Sequence, residues 1–472
     1  MSSSTYVVTT TLSFETALAA SNAGDTILLA PGVYNDVIIK GITHYAPITI
    51  ASEDPSHPAV LTSLLISGSN RIALNDLELD SSSATTAYPF RIQNSKAIQM
   101  SELNVHGSMD GNPQNDVPEL LVSGSRSVSI VNSEFQQAAL GISFKSSLYL
   151  TISGNSFHDI VSDGIHGVGS SYVTVANNYF YTFDPVGTPS TGGTHPDAIQ
   201  FWASHNTAHD IAITGNIIEQ ADGLPFQGIF MNTGVDKAPF QNVTIDDNTI
   251  VGGLCNGIRV IGADGLTVSN NLVEGLTTQT QNPWIWIANA SQVTLTHNAA
   301  MAFDLLNVSG LTASHDIAST RVTPDVQLSS TDTVLNPSYH TLFLTGFQDI
   351  SAQGNSLGDT IVANSGADNI TGGAGADTFI AGTGNDTFTG GGGADTFVFS
   401  SHTGQDVVTD LASSGGTGSV LDLSAYLSAG QAPTLQDTGA GAVIHLFNGG
   451  SITLLGVQAA DLAPSSTGYV YS

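Results

Sequence analysis

The chain has 472 residues, enough for two domains or for one elongated repeat body with a tail. Only 10% of the residues are charged, yet 40 Asp and Glu against nine Lys and Arg set the formal net charge at −31. That balance excludes nucleic acid and anionic membrane as partners, and the 50 glycines favour tight turns over long helices. The single Cys255 rules out an internal disulfide framework, so packing and metal ions are left to hold the fold. The opening Met1-Ser2-Ser3-Ser4-Thr5 has neither a basic stretch nor an apolar core, so no cleavable signal peptide is expected. No apolar run approaches the ~18 residues needed to span a bilayer.

Phe14 to Ser21 reads as a short helix capping an open core. Gly24-Asp25-Thr26-Ile27-Leu28-Leu29-Ala30-Pro31-Gly32-Val33-Tyr34 then resembles the opening segment of secreted parallel β-helix proteins. Beyond residue 60 the chain repeats loosely every roughly 22 to 34 residues, a solenoid period. In one line of the repeat an apolar strand runs into Asn: Ile152 to Asn155, Val175 to Asn178, Ile213 to Asn216, Ile245 to Asn248, Val268 to Asn271, Leu295 to Asn298. Asn tolerates the left-handed turn conformation, and stacked Asn side chains satisfy one another. Coils of this size cannot bury their own apolar face, but stacked coils share one core. The expected body is therefore an all-β parallel β-helix over residues 1–345.

A second strand line recurs: Gly141-Ile142-Ser143-Phe144-Lys145, Gly164-Ile165-His166-Gly167-Val168, Ala198-Ile199-Gln200-Phe201-Trp202, Gly228-Ile229-Phe230-Met231-Asn232, Gly257-Ile258-Arg259-Val260-Ile261, Trp284-Ile285-Trp286-Ile287-Ala288. Alignment on Ile places it and the residue two later inside, and the intervening positions outside. The outward columns are then Ser143, His166, Gln200, Phe230, Arg259, Trp286 and Lys145, Val168, Trp202, Asn232, Ile261, Ala288. Arg91 joins from an earlier coil. Two of nine cations in these columns, with Arg91 as a third, a histidine and all three tryptophans, counting Trp284, thus meet on one face.

Such a face suits carbohydrate, with indole rings on apolar sugar faces and cations or amides on hydroxyls and carboxylates. The longest coil carries an insertion from Thr182 to His195, a wall beside the groove, ending in Thr194-His195-Pro196-Asp197. Asp163 occupies the place of Asp197 one coil earlier. His166 or His195 is the candidate base, Lys145 or Arg259 the carboxylate neutraliser, and Gln200 a supporting donor. Trp202, Phe230, Asn232, Trp284, Trp286 and Arg91 are the substrate contacts. His57 and His315 read as turn or surface residues, and His158 with Asp159 as structural groups on another face.

Near the C-terminus Asp359, Asp368, Asp377, Asp386 and Asp395 fall nine apart, each followed two residues later by Ile361, Ile370, Phe379, Phe388 or Phe397. With the preceding glycines, as in Gly372-Gly373-Ala374-Gly375-Ala376-Asp377, this is the nonapeptide repeat of calcium-binding β-rolls. Carbonyls and carboxylates supply hard oxygen ligands for Ca²⁺. Leu357 and Ala363-Asn364 replace glycines in the first copies, so fewer full sites than copies are expected. Asp422-Leu423-Ser424 and Ile452 to Val457 read as closing strands. Residues 346–472 thus form a β-roll, unfolded without Ca²⁺ because its carboxylates repel.

The repeats resemble the RTX family, which implies a secreted protein leaving through a type I exporter by an uncleaved C-terminal signal, and a monomer is expected. The ladder resembles those of pectate and alginate lyases, polygalacturonase-like hydrolases and mannuronan C5-epimerases. The order of the two modules is similar to the epimerases. Their catalytic segment, Tyr-Gly-Phe-Asp-Pro-His, compares with Tyr181-Thr182-Phe183-Asp184-Pro185-Val186, which lacks the Gly and the His, so their residue roles are not transferred. The leading reading is a lyase cleaving a uronate-containing polysaccharide by β-elimination. The alternatives are a C5-epimerase, a hydrolase using Asp163 and Asp197, and a non-catalytic carbohydrate-binding surface protein.

Overall fold

The computed structural model describes residues 3–471 apart from 186–195, 205–207, 221–223, 235–237, 277–282, 319–320, 323–325, 330, 345–348, 365, 383, 400–403, 412–417, 424–425, 427–432, 447–449 and 466. The chain divides into two compact units, Met1–Thr323 and Pro324–Ser472.

The first unit opens with helix α1, Thr11–Ala20, begun by a capping box in which Thr10 and Ser13 bond reciprocally to each other's backbone N–H. It starts a turn earlier than the apolar pattern suggests, because the cap and not the first buried residue sets the N-terminus. Phe14, Ala17 and Leu18 are buried in the same cluster as Ile27, Leu29, Val37 and Ile39, so the helix closes the end of the core. Among the described residues, 33 strands form one sheet coiled on itself, every pairing parallel. No helix among the described residues is long and apolar enough to cross a membrane.

Each regular coil contributes three strands. In the ladder line Ile142, Ile165, Ile199, Ile229, Ile258 and Ile285 are successive partners. All six are fully buried, as are Phe144, Met231, Val260 and Ile287 two positions on. The register follows from the alternation: one residue of slip turns these apolar groups to solvent.

The asparagine line divides two tasks that the sequence reading gave to one residue. Asn155, Asn178, Asn216, Asn248, Asn271 and Asn298 are buried, each amide donating to the next at 2.8–2.9 Å. The left-handed turn conformation belongs instead to the residue before each: Gly154, Asn177, Gly215, Asp247, Asn270 and His297. The third line includes Glu134–Ala138, Ser156–Ile160, Tyr179–Tyr181 and Ile217–Glu219.

Among the described residues, the second unit is built on two eight-stranded sheets. In one, Val326–Ser329, Thr341–Leu344, Thr360–Val362, Thr378–Ile380, Thr396–Val398 and Val420–Asp422 pair in parallel. Strands 326–344 thus belong to the roll, ahead of the 345/346 boundary read from the sequence. They carry no glycine-aspartate signature, and only pairing assigns them. Antiparallel strands close both sheets: Gly468–Tyr471 against Val420–Asp422, and Gly441–His445 against Ser451–Leu455.

Candidate active site

Backbone register fixes the columns of the ladder. Arg91, Leu121, Ser143, His166, Gln200, Phe230, Arg259 and Trp286 are successive partners. So are Lys145, Val168, Trp202, Asn232, Ile261 and Ala288. Because side chains alternate and neighbouring strands lie about 4.8 Å apart, these columns stand side by side on one face. His195 lies outside the described residues.

The centre of the face is a buried carboxyl pair. Asp163 is 5% exposed and Asp197 1%. The Asp197 backbone N–H donates to Asp163 Oδ1 at 3.1 Å. Burial raises the Asp163 pKa to about 7. Burial, and then the charge of Asp163, lift Asp197 well above the usual carboxylate range. Two desolvated carboxyls this close do not both ionise, so the pair keeps a proton near neutrality.

A polar chain orients this pair. Gln200 donates its amide to Asp197 Oδ2 and accepts from Trp202 Nε1 at 2.7 Å. Gln200 is thereby tied to the carboxyl pair through one of its two amide N–H groups and to Trp202 through its carbonyl oxygen. His166 Nδ1 is 3.9 Å from Asp163 Oδ2, and its Nε2 has no protein partner. Burial pulls the His166 pKa down, so the imidazole is neutral at pH 7 and able to accept a proton.

Arg259 lies two coils from Gln200, its guanidinium 4.0 Å from the Trp286 ring centroid and 5.3 Å from that of Phe230. The rings hold the fork in place while Nε stays without a partner. Trp286 Nε1 is likewise buried without a partner, and Trp284 Nε1 donates to Asn256 Oδ1 at 3.1 Å. Asn232 spends its Oδ1 on the Gly234 backbone N–H at 2.8 Å, so its side chain shapes a turn. Lys145 is exposed one coil before His166, and Arg91, also exposed, lies three coils before it.

Sequence reasoning missed Gln227 and Asn256. They follow Asp197 in its column, are 7% and 5% exposed, and hydrogen-bond to each other. The signal was present: each precedes the Gly of Gly228-Ile229 or Gly257-Ile258, as Asp163 precedes Gly164-Ile165. It also missed the depth of polar burial in the third line. There His158 sits between Glu134 at 2.9 Å and Asp159 at 2.8 Å, and despite burial these two carboxylates lift its pKa to about 9.

In the roll the aspartates form two ladders. Asp359 N–H donates to Asp377 Oδ1 and Asp377 N–H to Asp395 Oδ1, at 2.8 and 3.0 Å. Asp368 N–H donates to Asp386 Oδ1 and Asp386 N–H to Asp406 Oδ1, both at 2.9 Å. Asp406 escaped the nine-residue count because it lies 20 residues after Asp386, where Asp386 lies 18 after Asp368. Burial raises Asp368 to about 7 and Asp377 to about 6, and Asp377 Oδ2 is buried without a partner. Gly373, Gly391 and Gly393 take positive φ in the intervening turns. Desolvated carboxyls beside glycine turns fit Ca²⁺, with main-chain carbonyls completing the ligands. Among the described residues there is no group of three or more His, Cys, Asp or Glu that could hold a metal ion by side chains alone.

Residues 89–300 match the family described as right handed beta helix region, and residues 353–388 and 375–401 the RTX calcium-binding nonapeptide repeat. The molecule is thus a right-handed parallel β-helix followed by an RTX β-roll. No curated protein sequence matches the chain. Similar solved structures include an alginate lyase from Paenibacillus sp. strain FPU-7, 15% identical over 68% of this chain and 99% of that one, with TM-score 0.31. The A-module of a mannuronan C-5 epimerase from Azotobacter vinelandii is 13% identical over 78% and 94%, with TM-score 0.47. A lacto-N-biosidase from Eubacterium ramulus is 13% identical over 67% of each chain, with TM-score 0.41. At these values the likeness concerns the fold alone.

Proposed function

We propose that the β-helix is a polysaccharide-modifying enzyme acting on a uronate-containing polymer, and that its reaction begins by removal of the proton beside a uronate carboxylate. The observation that carries this is a neutral His166 standing over a proton-holding carboxyl pair, with Lys145 on one side and Arg259 on the other along one groove face. That C–H is weakly acidic, so a base needs a cation on the carboxylate to stabilise the developing charge. His166 takes the proton, with His195 as the second candidate. Arg259 or Lys145 neutralises the carboxylate. The electron pair then expels the 4-linked oxygen, which takes a proton from the Asp163–Asp197 pair, leaving an unsaturated uronate end.

The same carboxyl proton favours one second reading, C5-epimerisation, in which it returns to the opposite face of the carbon instead of to a leaving oxygen. In the roll, Asp359, Asp368, Asp377, Asp386 and Asp395 would hold Ca²⁺, whose charge offsets their repulsion. Secretion through a type I exporter, as a monomer, belongs to the same proposal and rests on the repeats. Incubation with a panel of acidic polysaccharides, followed by ultraviolet absorbance, product length and proton NMR, separates elimination, epimerisation and hydrolysis. Hydrolysis products without absorbance overturn the proposal, as does no change to any polymer.

A further inference from the structure

The chain's scarce cations are not scattered. Seven of the nine have described side chains, and all but Arg259 are exposed: Lys40, Arg71, Arg91, Lys96, Arg126 and Lys145. All six lie on five successive coils, in or just before the turn that leads from the ladder strand to the asparagine-line strand. Lys40, Ser67, Gln93, Ser123 and Lys145 are successive partners at the ladder end of that turn. Asn70, Lys96, Arg126 and Leu148 are successive partners at its far end, with Arg71 beside Asn70. The turn segments 40–43, 67–71, 93–97, 123–127 and 145–149 contain no Asp or Glu, in a chain with 40 of them.

This edge is rigid. Ser69, Ser95, Ser125, Ser147 and Ser170 form a buried ladder beneath it, each backbone N–H donating to the next Oγ at 3.0–3.2 Å. Arg126 is further held over the Tyr149 ring, 4.7 Å from its centroid, and Tyr149 stacks on Tyr172 at 4.4 Å. With about 4.8 Å per coil, the cations span roughly 19 Å along the helix axis. A fixed row of positive charge on an otherwise strongly acidic molecule attracts a linear polyanion and repels little that is neutral.

We infer that this edge is a binding track for an anionic polysaccharide chain, running from the N-terminal coils to Lys145 and on to the groove at His166. It adds substrate contacts beyond the ladder columns and rests on the reading of the ladder as a polysaccharide site. The edge itself performs no chemistry.

The test measures binding of the full chain at one fixed calcium level to a polyuronate, to a neutral glucan of equal length, to duplex DNA and to phosphatidylserine vesicles, across a range of salt. The expected order places the polyuronate first, with affinity falling as salt rises. Arg71→Gln/Lys96→Gln/Arg126→Gln should weaken polyuronate binding about tenfold at moderate salt and flatten its salt dependence. Arg71→Lys/Lys96→Arg/Arg126→Lys, with charge kept, should bind as the parent does. Equal binding of the glucan, tighter binding of DNA or vesicles, or an unaltered triple Gln variant overturns the track. Polyuronate binding without any product overturns the enzymatic reading and leaves the track standing. Turnover with an unaltered triple Gln variant does the reverse.

Discussion

The backbone N–H of Asp197 donates to the side chain of Asp163 across one coil step, at 3.1 Å, and so ties two buried carboxyls into one titrating unit. Its pH dependence has a definite sign. Asp163 titrates near 7 in the folded chain and near 3.8 in the unfolded one, so between these values the folded state binds more protons. Stability contributed by this group is therefore present at low pH and is lost as pH rises through about 7. Asp163→Asn keeps an acceptor for the Asp197 N–H while removing that ionisation. Urea denaturation should show it more stable than the parent by on the order of 1–3 kcal/mol at pH 8, and little different at pH 4.

Trp202 reaches the carboxyl pair only through Gln200. Trp202→Phe keeps the ring and deletes the Nε1 donor, leaving Gln200 free to swing away from Asp197. The expected result is a fall in kcat of about tenfold with KM changed little, together with a displaced alkaline limb of the pH profile, since Gln200 lowers the Asp197 pKa. A loss confined to KM would mean that Trp202 serves as a sugar platform instead.

The asparagine ladder has no tolerance for a gap. Asn216 is fully buried and bonds both to the Asn248 side chain and to the Val175 carbonyl. Asn216→Ala leaves Asn178 without the acceptor it uses twice. We expect a loss of about 2–4 kcal/mol in the β-helix transition, read by circular dichroism in urea.

The calcium repeats should couple metal binding to folding, because Ca²⁺ offsets the repulsion of carboxyls that the folded roll buries. Removal of Ca²⁺ with a chelator should unfold the unit Pro324–Ser472 while the β-helix signal persists.

Much of this was legible in the sequence, for a physical reason. A period-two strand with a buried Ile fixes its own register, so the columns from Ser143 to Trp286 could be read before any coordinates. The aspartate repeats were legible because their spacing is constant, and Asp406 was hidden where it lengthens. Hydrogen bonds between coils were not legible. Gln200 points outward in any alignment, but only geometry reveals that its amide is tied to Asp197 and Trp202. The asparagine line likewise showed that a turn recurs, without showing that the left-handed residue is the one before.

The central claim is base-initiated elimination at His166. The direct measurement is absorbance in the unsaturated-uronate band when the full chain with Ca²⁺ meets a polyuronate, beside the His166→Ala/His195→Ala double variant. The parent should generate absorbing, shortened products, and the double variant should be slower by roughly 10²–10⁴-fold. A double variant of near-normal rate, or polymer shortened without absorbance, would contradict the account.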